Sequence, residues 1–165
     1  MSRAKRSHQL GRRAFLRRAA AGIGGALAAP YLVPGTALGA EGRAAASERI
    51  TVGVIGLGGR GSSVMTAFLA QPDTQVVAVC DVFRDRREAG KQQVNQHYGN
   101  QDCTSYLDML ELLDRRDIDA VLIATGDNWH SQAAILAARA GKDMYCEKPL
   151  SVAITESRAV ADTMR

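Results

Sequence analysis

The sequence predicts an α/β fold, a Rossmann-like doubly wound parallel sheet. Two observations carry this. Near-continuous apolar segments of strand length alternate with segments of helical periodicity along residues 49–165, and a glycine-rich turn joins the first strand to the first helix. Strands covered by helices on both faces lose the alternation of a half-buried sheet and read as unbroken apolar runs.

The elements follow in order. Ile50–Ile55 is the first strand, and Ser62–Ala70 is a helix with Val64, Ala67 and Phe68 at helical spacing. Pro72-Asp73 breaks that helix, and Gln75–Cys80 is the second strand. Arg84–Tyr98 is a polar helix stopped by Gly99-Asn100. The stretch from Ser105 to Asp108 is expected to open another helix, with Ser105 as its cap and Leu107, Leu110 and Leu113 on its inner face. Asp119–Thr125 is the third long strand, and Ser131–Ala140 is an alanine-rich helix closed by Gly141. Asp143–Glu147 is the next strand, and Ile154–Arg165 the last helix.

Composition narrows the class. Of 165 residues, 46% are apolar and 23% charged, with 4 Pro, which excludes a disordered or collagen-like chain. Cys80, Cys103 and Cys146 form no C-x-x-C pair, so neither a disulfide framework nor a metal site is expected. The net charge of +4 is misleading. Residues 1–40 hold seven basic residues and no acid, whereas the rest holds 14 basic and 17 acidic ones. The folded part is mildly acidic, and no nucleic-acid partner is expected.

Residues 1–39 read as an export signal, and 40–48 as a flexible linker. A basic block precedes the small, apolar segment 19–40, in which seven of 22 residues are Gly or Pro, a poor composition for a membrane-spanning helix. A mitochondrial presequence would carry Arg and Ser throughout an amphipathic stretch instead. Ala37-Leu38-Gly39 places small residues at −3 and −1 for cleavage before Ala40. Arg12-Arg13-Ala14-Phe15-Leu16 resembles the twin-arginine consensus. That resemblance implies the twin-arginine export machinery as partner and a periplasmic destination, with retention at the membrane if the signal is not cleaved. An ordinary Sec signal is the alternative.

The chemistry concentrates after successive strands. Gly56-Leu57-Gly58-Gly59-Arg60-Gly61 lies between a strand and a helix, the setting in which G-x-G-x-x-G binds a dinucleotide pyrophosphate. Gly56 permits the turn, Gly58 lets the backbone approach the phosphates, and Gly61 lets the helix pack against the strand. Asp81 ends the second strand, 20 residues after Gly61, where a carboxylate accepts ribose hydroxyls and repels a 2′-phosphate. NAD is therefore the expected cofactor, with NADP admitted by Arg84, Arg86 and Arg87 downstream. Two further segments, 124–130 (ATGDNWH) and 145–150 (YCEKPL), follow the third and fourth long strands and share the carboxyl edge of the sheet. Cys80 and Cys146 are read as core residues.

The order GLGGRG, CD, ATGDNWH, CEKPL resembles the glucose–fructose oxidoreductase/inositol dehydrogenase (Gfo/Idh/MocA) family over about residues 48–165. The resemblance implies Lys148 as a catalytic residue beside nicotinamide and substrate, with His130 near the cofactor as a second catalytic candidate. It implies cofactor contacts from Gly56, Gly58, Gly59, Arg60, Gly61, Asp81, Thr125, Asp127, Trp129, Glu147 and Lys148. Glu147 is expected to orient Lys148 or cap the nearby backbone. Gly126 stands where the family usually has Pro.

Family members resemble a two-domain protein, so a sixth strand and a substrate domain are expected to be missing from this chain. A homo-oligomer is expected only for a full-length protein. The expected function is the cofactor-binding part of an exported oxidoreductase that moves hydride between a sugar or polyol and a nicotinamide. The alternatives are an NAD-dependent glycosidase of the same superfamily and a non-catalytic dinucleotide-binding fragment. The 165 residues alone are expected to bind NAD no better than high micromolar and not to turn over.

Export is tested by replacing Arg12 and Arg13 with Lys, since a receptor that reads the guanidinium pair rejects an equal charge. Cell fractionation should find the variant in the cytoplasm; unchanged export would assign the signal to the general route.

Overall fold

The computed structural model describes residues 44–165. The twin-arginine block, the apolar segment, the cleavage site and residues 40–43 of the expected linker lie outside the described residues. From Ala44 that linker is tethered. The Ala44 amide donates to the Pro72 carbonyl at 3.1 Å, the Arg49 Nε donates to the Ala44 carbonyl at 2.7 Å, and Ala46–Glu48 forms one 3-10 turn.

Five strands and five helices follow in alternation. They are β1 (Ile50–Ile55), α1 (Gly59–Leu69), β2 (Thr74–Cys80), α2 (Arg84–Tyr98), β3 (Thr104–Tyr106), α3 (Met109–Leu113), β4 (Ala120–Ile123), α4 (Asp127–Arg139), β5 (Asp143–Cys146) and α5 (Ile154–Thr163). The strands pair in the order β3-β2-β1-β4-β5, all parallel. This is the doubly wound arrangement, with the strand order reversing between β1 and β4.

Alternate residues feed two cores. Val52 and Val54 of β1, Val76 and Val79 of β2 and Leu122 of β4 join Val64, Met65 and Leu69 of α1 and Val94 of α2. Ile55, Ala78, Cys80, Val121 and Ile123 join Leu112 and Leu113 of α3, Ala133, Ala134 and Ala137 of α4 and Val160 of α5. A register shift between Val52 and Gly53 lets one β2 residue be skipped without exchanging the faces of β1. Each large aliphatic side chain so buried contributes about 1.5–3 kcal/mol. The thiols of Cys80 and Cys103 are free, and burial pushes both up to about 11, which suits inert core residues.

Three sequence expectations need correction. The stretch from Ser105 is not the start of a helix. Thr104–Tyr106 pairs with Ala78–Cys80, and the helix opens at Met109, capped by Asp108, whose carboxylate accepts from the Leu110 amide at 2.9 Å. Leu107 and Leu110 are accordingly exposed, and the core residues are Leu112 and Leu113. Helix α1 begins at Gly59 rather than Ser62, and its buried face is Gly61, Val64, Met65 and Leu69, with Ala67 exposed. Helix α4 begins at Asp127 rather than Ser131, so Trp129 and His130 ride on its first turn.

Close approach at the first turn explains two glycines. Gly56 has φ +92°, and a Cβ there would meet the Ala124 carbonyl oxygen at 2.5 Å. A Cβ on Gly61 would run into the Gly56 carbonyl. By contrast, a Cβ on Gly59 would find nothing within 4 Å. Urea unfolding of the full chain should therefore show Gly61→Ala destabilised by about 1–3 kcal/mol, and Gly59→Ala within about 0.5 kcal/mol of the parent. Equal effects at the two positions would contradict the packing described.

Candidate functional site

The site begins where β1 ends. The Gly56 amide donates to the Cys80 carbonyl at 2.8 Å, and the Ala124 amide donates to the Ile55 carbonyl at 2.8 Å. The turn is thereby held between its two neighbouring strands. Gly58 at the N-cap has no side chain, so no capping side chain accepts from the first-turn amides of α1. Such amides, with the helix dipole behind them, suit an anion.

Asp81 braces the turn from the side. Its carboxylate accepts from the Leu57 amide at 2.7 Å and from the Phe83 amide at 2.8 Å, and the residue is 7% exposed. Each oxygen keeps a further lone pair for a ribose hydroxyl. Next to it, the Arg86 guanidinium lies 4.5 Å above the Phe83 ring, and its Nη1 would be 3.9 Å from a Cβ on Gly58. This cation at the edge of the glycine turn had a sequence signal in the Arg84–Arg87 cluster, but its stacking on Phe83 had none.

Around the corner, a cavity of about 560 Å³ is lined by Arg60, Ala124, Thr125, Asp127, His130, Glu147 and Lys148. Residues from the glycine turn, the loop after β4 and the end of β5 therefore converge, as the carboxyl edge of a parallel sheet requires. Trp129 is half-exposed and Asp81 is buried, and neither lines this cavity. Lys148 is exposed at its rim.

His130 is 2% exposed, and its Nδ1 lies 2.7 Å from the Pro149 carbonyl oxygen. A carbonyl only accepts, so Nδ1 donates in this bond. The ring Nε2 has no partner and is buried. The Lys148-Pro149 peptide bond is cis.

Glu147 continues the β5 ladder, its amide donating to the Ile123 carbonyl at 2.9 Å. Its carboxylate is 2.7 Å from Arg60 Nη2 and 3.4 Å from the Tyr145 hydroxyl, which donates to the same oxygen. The hydrogen bond from Arg60 holds this carboxyl below the usual carboxylate range and raises the guanidinium in turn. The pair is complete above the ordinary glutamate range and is lost as pH falls through the depressed value. Glu147 is thus engaged with Arg60, 87 residues away in sequence, and not with the side chain of Lys148. Sequence reading alone did not find Tyr145. Its position two residues before Glu147 on one strand is the signal that places both on one face, and its ring packs edge-on against Phe68 with centroids 5.7 Å apart.

No group of three or more His, Cys, Asp or Glu among the described residues is arranged to hold a metal ion.

Comparison with known proteins agrees with this fold. The family model GFO_IDH_MocA, described as "Oxidoreductase family, NAD-binding Rossmann fold", matches residues 50–165. A glycosyl hydrolase family 109 protein of Saccharopolyspora erythraea is 34% identical over 126 residues, 72% of this chain and 26% of the relative. Myo-inositol 2-dehydrogenase of Thermotoga maritima is 32% identical over 115 residues, 69% of this chain and 33% of the relative. The structure of myo-inositol dehydrogenase from Lactobacillus casei, in complex with NAD(H) and myo-inositol, superposes with a TM-score of 0.64 at 27% identity, covering 70% of this chain and 33% of that one. KijD10, a 3-ketoreductase from Actinomadura kijaniata, as the Y186F mutant in complex with TDP-benzene and NADP, gives 0.62 at 27% identity over 71% of this chain and 34% of that one. The chain spans about a quarter to a third of the length of the relatives it matches.

Proposed function

The chain belongs to the Gfo/Idh/MocA oxidoreductase family and carries its NAD(P)-binding Rossmann domain, and from that premise we propose that it serves an exported dehydrogenase acting on a sugar or polyol. The observation that carries the reading is the convergence of Arg60, Thr125, His130, Glu147 and Lys148 on one cavity beside the glycine turn. The residues present fit a dinucleotide. Uncapped amides of α1 would hold the phosphates, the absent side chains of Gly58 and Gly59 leave room above the turn, and Asp81 would accept from the ribose.

When bound, the cofactor supplies a nicotinamide that takes up or returns hydride. The chain's own residues supply the proton chemistry. Lys148, at the cavity rim without a carboxylate partner, holds or releases the proton of the substrate hydroxyl whose carbon loses or gains hydride. His130 supports the backbone at Pro149 from below. The sugar or polyol class is supported by the family resemblance and by the inositol-binding neighbour.

A second reading, an NAD-dependent glycoside hydrolase, is favoured by the family 109 relatives at 34–36% identity. The two readings share this domain and part over net redox. A dehydrogenase releases reduced dinucleotide, whereas a hydrolase that oxidises its sugar transiently returns the hydride within each cycle. The intact Glu147-Lys148-Pro149 favours the dehydrogenase. Export to the periplasm through the twin-arginine route remains part of the proposal, supported by Arg12-Arg13 and Ala37-Leu38-Gly39.

Calorimetric titration of the full chain with both dinucleotides tests the cofactor assignment. NAD should bind at least about tenfold more tightly than NADP, a difference of about 1.4 kcal/mol. Asp81→Asn should narrow that gap and also lower stability, because one of the two braced backbone amides then faces an NH2 group. Equal or reversed affinities in the parent would assign the choice to Arg86 and its neighbours.

A further inference from the structure

The Glu-Lys-Pro segment carries a carboxylate and an amine on consecutive residues. Glu147 and Lys148 line the same cavity, and an unengaged Glu147 would be a ready counterion for the ammonium group. The structure shows a different pairing. Glu147 is 6% exposed, its Oε1 takes Arg60 Nη2 at 2.7 Å and the Tyr145 hydroxyl at 3.4 Å, and its backbone amide is tied to β4. Arg60 is itself part of the glycine turn, with a side chain 64% exposed on the cavity side. One guanidinium therefore spans the gap between the glycine turn and the end of β5 and occupies Glu147, one of the two carboxylates, with Asp127, that line the cavity.

We propose that Arg60 is a positioning residue that draws Glu147 off Lys148, leaving the lysine amine unpaired in the cavity for a substrate hydroxyl. The proposal rests on the reading of Lys148 as the group that meets that hydroxyl. It assigns Arg60 a task distinct from phosphate binding. A guanidinium suits it because the planar, always-charged fork holds a carboxylate in fixed orientation, where an ammonium group would swivel. Tyr145 adds a second donor to the same oxygen from the strand itself, so the carboxylate is held from two elements.

The consequence is an order of amine availability that can be read without turnover. Trace acetylation of the full chain with acetic anhydride, quantified by mass spectrometry for Lys148 relative to Lys91 outside the cavity, reports the free-amine fraction and access of Lys148. Arg60→Gln should slow Lys148 acetylation at least about threefold, the scale of a newly formed exposed ion pair, because Glu147 then turns to the lysine. Arg60→Gln combined with Glu147→Gln should restore the parent rate, and Arg60→Lys should stay close to it. Glu147→Gln alone should leave Lys148 unchanged, which keeps the test decisive should Arg60→Gln fail to fold. Faster labelling in Arg60→Gln, as a merely loosened turn would give, overturns the proposal. So does failure of the double variant to restore the rate, or a rise in Glu147→Gln alone. NADH binding by fluorescence on the same preparations is a separate readout. Its absence would strike at the dinucleotide reading, whereas the labelling pattern decides the role of Arg60 by itself.

Discussion

Backbone crowding at the end of β1 is the constraint on which the rest of the site depends. Between Ile55 and Gly61 the chain leaves the sheet, turns at positive φ and enters a helix. The Gly56 carbonyl packs where a Cβ of Gly61 would stand, and the Ala124 carbonyl where a Cβ of Gly56 would stand. Only glycine fits either position. This contact brings the start of α1 against the switch point between β1 and β4. Loosening it would withdraw the uncapped amides from the crevice and carry Arg60 away from Glu147.

Charge is distributed around this turn with a division of labour. Asp81 spends one lone pair on each of two backbone amides, so it shapes the turn before any ribose arrives. Glu147 is engaged by Arg60 and Tyr145. The loop after β4 is held from the other side, where the His130 ring, buried in the first turn of α4, reaches the carbonyl of Pro149. Three segments distant in sequence are thus cross-tied by one ion pair and one imidazole, and Lys148 is left at the rim beside a Glu147 already engaged by Arg60.

Much of this was legible in the sequence, for identifiable reasons. The four long strands announce themselves because burial on both faces demands unbroken apolar runs, and the glycines and Asp81 because their spacing follows from backbone geometry. The short strand Thr104–Tyr106 escaped because three residues paired on one side carry no apolar run, and the leucines beyond it imitate a helix face. The true starts of α1 and α4 were obscured because their first turns contain Gly and Asn, residues that read as loop. The Arg60–Glu147 pair was invisible for a deeper reason. Both residues were candidates, but a contact between positions 87 apart follows from the order of strands and not from any local pattern.

The central claim is that a dinucleotide lies along the carboxyl edge, phosphates on the glycine turn and nicotinamide toward Lys148. Amide NMR of the isotopically labelled full chain, titrated with NAD, tests it most directly. The account predicts saturable shifts largest at Gly58–Gly61, with further changes at Asp81, Thr125 and Lys148. Shifts confined to another surface, or none at millimolar NAD, would contradict it.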